Sequence, residues 1–264
     1  MKTVSEIVES FKFSGGEIQV TLKDNLFESG GRVNLKAHLH SSDAIMELLL
    51  TADAYKRIGV TVGTLQVPYL PYARQDRVCA SGQALSIAVM ANLINSIGAE
   101  KVVVFDCHSP VGLALINNVH NISKAAWAAD IYGLSSRKKY EIIAPDAGAQ
   151  KSAYEFAKAL PNATGVTCAH KYRDVTTGAI TGVAYEGDVT GKHCLIVDDI
   201  CDGGATFTAL SKKLREGGAA SVELFVVHGI FSRGLEVFDN LEHIWCVNVF
   251  DKELEHSARV SVIH

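Results

Sequence analysis

Apolar and polar residues alternate over residues 17–22 and again over 32–39, the period of a strand with one wet face. The period then lengthens: Ile45, Leu48, Leu49, Ala52 and Tyr55 share one face of a helix over 44–58, with Ser42 and Asp43 as its cap. Mostly apolar stretches that read as buried strands follow at 60–70, 101–105, 140–144, 166–168, 194–197, 221–227 and 244–249. Helical stretches at 83–97, 149–160 and 209–216 separate several of them. Strands buried on both faces and joined through helices build parallel sheets, so the pattern predicts an α/β fold with ligands at the strand C-termini. It runs through twice, with a junction near residues 121–126. Two tandem domains are expected, 1–123 and 124–264, each a mostly parallel central sheet flanked by helices.

Composition narrows the class. Hydrophobic residues make up 48% of 264 positions, enough for real cores. A net charge of −4 without a run of lysine or arginine offers no footprint for nucleic acid or an anionic membrane. The six cysteines are scattered with no CxxC pair, which argues against a zinc site or a disulfide scaffold and for a reducing, cytoplasmic setting. Charges at Lys2, Glu6 and Glu9 interrupt any signal-peptide core, and no stretch approaches a membrane span.

The densest chemistry lies at residues 193–207. A buried strand ends in Asp198, Asp199 and Asp202; Gly203 and Gly204 allow a tight turn; and Thr206 is placed to start the helix over 209–216. Adjacent acids can accept hydrogen bonds from two neighbouring hydroxyls, while the turn and helix N-terminus cradle a phosphate through backbone N–H groups. A sugar phosphate suits both halves. Here the chain resembles the phosphoribosyl-diphosphate-binding loop of type I phosphoribosyltransferases and ribose-phosphate pyrophosphokinases.

Tyr72-Ala-Arg-Gln-Asp76 follows Pro68 and Pro71 at a strand end, where an arginine, an amide and an acid can grip a triphosphate. With residues 67–71 before it and 92–99 after it, the segment resembles the ATP-binding segment of the ribose-phosphate pyrophosphokinases. That resemblance spans most of the chain. It implies that Phe13 and Glu17 contact adenine, that Arg74, Gln75 and Asp76 bind ATP, and that His108 and Asp146 hold Mg2+. It also makes Lys171 and Arg173 the catalytic cations of a mobile loop, and Asp198, Asp199, Asp202, Gly203, Gly204, Ala205 and Thr206 the ribose-phosphate site. Independently of the family, a strand-end carboxylate such as Asp146 is an ordinary magnesium partner. Lys171 and Arg173 alone would read as surface cations; it is within the resemblance that cations two residues apart on an extended segment can close together over transferring phosphate.

The implied reaction is transfer of the β,γ-diphosphoryl group of ATP to the anomeric 1-hydroxyl of ribose 5-phosphate. The family usually has a complete strand and helix before residue 13 and a further helix at the end. The chain therefore reads as a shortened, homo-oligomeric member, dimer or higher, with the usual hexamer and its phosphate and ADP regulation not implied. Gly15 stands where an acid commonly reads adenine. Gly203 and Ala205 depart from the family's Asp-Thr-Gly-Gly-Thr; the hydroxyl missing at Gly203 is expected to open space for a larger 5-substituted ribose such as ADP-ribose, as in NAD salvage. The rival readings are a non-catalytic subunit that regulates such a synthetase, against which Lys171, Arg173 and residues 198–206 argue, and a phosphoribosyltransferase that consumes the activated sugar, against which the ATP-like segments at Phe13 and Tyr72 argue.

Overall fold

The computed structural model describes residues 1–23, 30–135, 138–173 and 180–263; the side chains of residues 171–173, 180 and 181 are also outside the description. The chain forms two compact units, Met1–Ile122 and Ser123–His264. Among the described residues no helix is long and apolar enough to cross a membrane.

The first unit opens with β1 (Lys2–Thr3), the short helix α1 (Val4–Ile7) and an antiparallel hairpin of β2 (Val8–Lys12) and β3 (Ile18–Leu22). It continues through β4 (Arg32–Lys36), α2 (Ser42–Arg57), β5 (Thr61–Val67), α3 (Ser86–Ser96), β6 (Lys101–Phe105), α4 (Pro110–Leu115) and β7 (Val119–Ile122). Strands β1-β4-β5-β6-β7 form one sheet in that order, parallel throughout. Leu35, Leu65, Val67 and Val104 of the sheet pack with Tyr55, Ile87, Met90 and Ile94 of the helices. The α2 cap sits one residue earlier than the sequence suggests: the Ala44 N–H donates to Ser41 Oγ at 3.1 Å, because Ser41 keeps the extended backbone a cap requires while Ser42 is already helical.

The second unit begins with a 3-10 turn, Lys124–Trp127, and α5 (Ala128–Leu134), then β8 (Tyr140–Ala144), α6 (Gln150–Ala159), β9 (Ala163–Arg173) and β10 (Ile180–Tyr185). It finishes with β11 (His193–Cys201), α7 (Ala205–Glu216), β12 (Ser221–Gly229), β13 (His243–Val249), a 3-10 turn at Lys252–His256, and β14 (Val260–Val262). Among the described residues its sheet is ordered β10-β9-β8-β11-β12-β13-β14, with β10 antiparallel to β9 and the other neighbours parallel. All nine residues of β12 and all five of β8 are buried, as both-face coverage demands.

The end of this sheet where the strands begin is locked by Glu223. Its carboxylate is 1% exposed and accepts from Lys138 Nζ at 2.9 Å and from Tyr140 Oη and Trp245 Nε1, each at 2.8 Å. A buried acid is tolerable only with such partners. The opposite end, where β8, β11 and β12 finish, is left to loops at 145–149, 202–204 and 230–234.

Candidate functional site

Residues 198–201 continue β11 rather than follow it. Asp198 pairs across to Val226 and Cys201 to Gly229, so the acid pair is part of the strand. β12, buried along its whole length, extends this far and carries its neighbour with it. Each acid then ties itself to the next peptide: the Asp199 N–H donates to Asp198 Oδ1 at 2.9 Å and the Ile200 N–H to Asp199 Oδ1 at 2.8 Å. The two carboxylates are thereby oriented side by side. Burial first, and Asp199 second, push the Asp198 carboxyl well above the usual carboxylate range, while Lys124 draws it down.

Lys124 is the residue sequence reasoning missed. It is 5% exposed, and its ammonium donates to Ser152 Oγ at 3.1 Å. A buried cation acting on Asp198 offsets part of its repulsion with Asp199 and favours its ionised form. Removing it in Lys124→Met is expected to move the Asp198 titration to higher pH, read from the carboxyl carbon shift by NMR. A buried acid whose folded pKa is raised costs stability as pH rises from its unfolded value toward its folded one. The variant should therefore lose stability relative to the wild type as pH rises; identical titrations would remove Lys124 from the site.

Past Cys201 the chain turns through Gly203 and Gly204 into α7. Gly204 has φ +75° and is the N-cap of the helix, and a β-carbon there would run into the ring of Phe238. The cap is therefore backbone alone, and Thr206, expected to start the helix, lies inside its first turn. The helix starts earlier than the apolar period indicates because left-handed Gly204 already aims the following N–H groups along the axis. No acid occupies that turn, which leaves it open to an external anion. Asp202 Oδ1 accepts from Ser232 Oγ at 2.7 Å, tying the turn to the loop after β12.

The space expected beside Gly203 is already lined. A β-carbon on Gly203 would stand 3.4 Å from Cδ and Nε of Arg233, so this arginine's stem borders the volume that a threonine hydroxyl would take.

Asp146 follows β8, and its Oδ1 accepts from the Ala149 N–H at 3.0 Å, fixing the carboxylate at the start of α6. Lys171 and Arg173 stand near the end of β9, with their side chains outside the described residues. Past Cys168 the pairing of β9 with β8 has ended, while that with β10 continues to Arg173.

In the first unit, Arg74, Gln75 and Asp76 lie in the loop after β5, and His108 in the loop after the neighbouring β6. The two loops are joined: Ser109 Oγ donates to Asp76 Oδ2 at 2.7 Å and also accepts from the Val111 N–H, capping α4. Arg77, unremarked in the sequence, forks onto Asp76 through Nε at 2.8 Å and Nη2 at 3.2 Å. Arg77 and then Ser109 hold the Asp76 carboxyl down at about 2, so it stays ionised. Left-handed backbone at Tyr72 (φ 64°) and Asp106 (φ 38°), both non-glycine, marks where these loops are bent. Arg74, Gln75 and His108 are exposed.

Phe13 and Glu17 are placed at the tip of the β2–β3 hairpin, in a sheet of their own, where the Phe13 N–H donates to the Glu17 carbonyl at 2.8 Å. Phe13 is 50% exposed and meets Phe11 edge to face, a surface that can receive a flat ring.

Residues 2–98 match the model of the N-terminal domain of ribose phosphate pyrophosphokinase, and residues 116–251 that of the phosphoribosyl transferase domain. The chain is 31% identical over 223 residues to a ribose-phosphate pyrophosphokinase of Marinomonas sp. (strain MWYL1), covering 84% of this chain and 70% of that one. It is 32% identical over 225 residues to the enzyme of the same name from Granulibacter bethesdensis, covering 84% and 72%. The fold superposes on a phosphoribosylpyrophosphate synthetase from Mycobacterium smegmatis with a TM-score of 0.82 at 22% identity, over 100% of this chain and 93% of that one.

Proposed function

Because the chain belongs to the ribose-phosphate pyrophosphokinase family, we propose that it transfers the β,γ-diphosphoryl group of ATP to ribose 5-phosphate, releasing AMP. The observation that carries the sugar half is the pairing of Asp198 and Asp199 with a glycine-started helix within one strand–turn–helix. The oriented carboxylates accept from the two ring hydroxyls. The 5-phosphate rests on the turn at residues 202–206 and the first N–H groups of α7.

The nucleotide half is assigned to the first unit. Arg74 and Gln75, exposed on the loop after β5, take the phosphates, and Asp76, already holding Arg77 and Ser109, braces that loop. Phe13 and Glu17 receive the base. The anomeric oxygen attacks the β-phosphorus as its proton leaves to solvent; the bond to the α,β-bridging oxygen breaks, and AMP carries that oxygen away. Lys171 and Arg173 stabilise the charge that develops on the transferring group.

Magnesium, when bound, neutralises phosphate charge. Asp146, a carboxylate oriented by the Ala149 N–H, has the oxygen chemistry that ion takes and would hold it in the second unit; in the first unit the His108 imidazole would suit such an ion less well. We place the protein in the cytoplasm as a homo-oligomer, with six free thiols consistent with a reducing compartment.

Magnesium ATP and ribose 5-phosphate should give AMP and a 1-diphosphorylated sugar, identified by mass. ATP that is bound but not cleaved with any ribose acceptor would favour a regulatory subunit; failure to bind ATP would favour a phosphoribosyltransferase.

A further inference from the structure

The loop at residues 230–234 is built to stand beside the phosphate turn. Its first two N–H groups, from Ile230 and Phe231, both donate to the Cys201 carbonyl, at 2.8 and 3.2 Å. Phe231 adopts a left-handed backbone, φ 49°, a conformation that a bulky side chain takes only when its surroundings impose it. The surroundings are explicit. Phe231 is 3% exposed and sits edge to face with Phe238, 6.0 Å between ring centres, and Phe238 is the ring that lies against Gly204. One aromatic pair thus supports both the loop and the turn.

The bend at Phe231 delivers Ser232 and Arg233 to the turn's outer side. Ser232 donates to Asp202, and the Arg233 stem lies along Gly203 with its guanidinium in solvent. Among the described residues no ion pair engages that guanidinium.

The charge balance gives this placement its meaning. A phosphate arriving here would meet Asp198, Asp199 and Asp202; Lys124 acts on Asp198, but residues 202–208, which form the phosphate turn, contain no lysine or arginine of their own. Backbone N–H groups and the helix end supply only partial charges. The cation that borders the turn is Arg233, the side chain best suited to fork onto phosphate oxygens.

We propose that Arg233 is a substrate-binding residue that grips the 5-phosphate of the sugar from beside Gly203, along which its stem lies. The assignment rests on the sugar-phosphate reading above and adds to it the group that reads the phosphate's charge.

The test is Arg233→Ala and Arg233→Lys, each assayed for turnover and, by calorimetry, for binding of ribose 5-phosphate and of ribose. Loss of one charge-assisted phosphate contact is expected to raise KM and the dissociation constant for ribose 5-phosphate by about ten- to hundred-fold. The KM for ATP and the weak binding of unphosphorylated ribose should stay within about twofold, and lysine should recover part of the loss, since it keeps the charge without the fork. Equal ribose 5-phosphate binding by wild type and Arg233→Ala would overturn the assignment. So would an equal loss toward ribose and ribose 5-phosphate, which would mean a disturbed loop. If the wild type binds ribose 5-phosphate and Arg233→Ala does not, yet no AMP forms, Arg233 stands and the proposed reaction falls. If the wild type fails to bind it, both fall.

Discussion

Lys171→Ala is expected to lower kcat by roughly a hundred- to a thousand-fold, the usual cost of removing one donor aimed at charge that develops only in the transition state. The KM values for ATP and ribose 5-phosphate should hold within about twofold, because an interaction made only at the transition state leaves ground-state binding intact. The backbone sets this segment near the sheet end where Asp146 and Asp198 stand. β9 leaves its pairing with β8 at Cys168, opposite Ala144 and just before the Asp146 turn, and continues to Arg173 paired with β10. Lys171 and Arg173 therefore lie on a two-stranded arm that departs from the end of the sheet carrying Asp146 and Asp198. Arg173→Ala should cost a similar factor, and the double variant far less than the product of the two, since cations serving one charge act as a unit. Quench-flow measurement of AMP formation in a single turnover separates this from slowed product release. An unchanged single-turnover rate would take Lys171 off the catalytic list, and a fall confined to the KM for ATP would make it a nucleotide anchor.

What could be read from the chain beforehand follows physical lines. Strands such as β8 and β12 are buried on both faces, so they appear as mostly apolar stretches, interrupted by Glu141 and Glu223. The acid pair and the glycine turn are contiguous, so local spacing was enough to assemble them. β9 was harder to see: residues 163–173 mix threonine, glycine, histidine and lysine with apolar positions, and its length is set by the partners β8 and β10. Lys124 gave no periodic signal, only a lysine followed by Ala125, Ala126 and Trp127, and its burial beside Asp198 is a tertiary fact. Arg233 is farther still from local reading. Thirty residues separate it from Gly203, and the two meet because parallel neighbours β11 and β12 end at the same height. Read alone, Gly203 suggests an opening; in the fold the Arg233 stem borders that space.

Gly204→Ala should destabilise the second unit by roughly 2–5 kcal/mol, the sum of left-handed strain on an L-residue and the overpacking of a full core position. The two costs have separate sources. The φ of +75° penalises any side chain, whereas the collision is specifically with Phe238, a ring that is 0% exposed and already packed edge to face with Phe231. Pairing the variant with Phe238→Leu therefore tests the mechanism: the smaller side chain should relieve the collision and leave the strain, giving a favourable coupling energy in a double-mutant cycle of urea unfolding. Sugar-phosphate affinity should fall with the single variant and recover only partly in the double, because a helix started by a strained cap no longer aims its first N–H groups where the phosphate sits. Additive losses would mean that Phe238 does not press on the turn. An unfolding midpoint equal to that of the wild type would mean that the turn is loose enough to take a methyl group, and a loose turn cannot hold those donors in place for the phosphate.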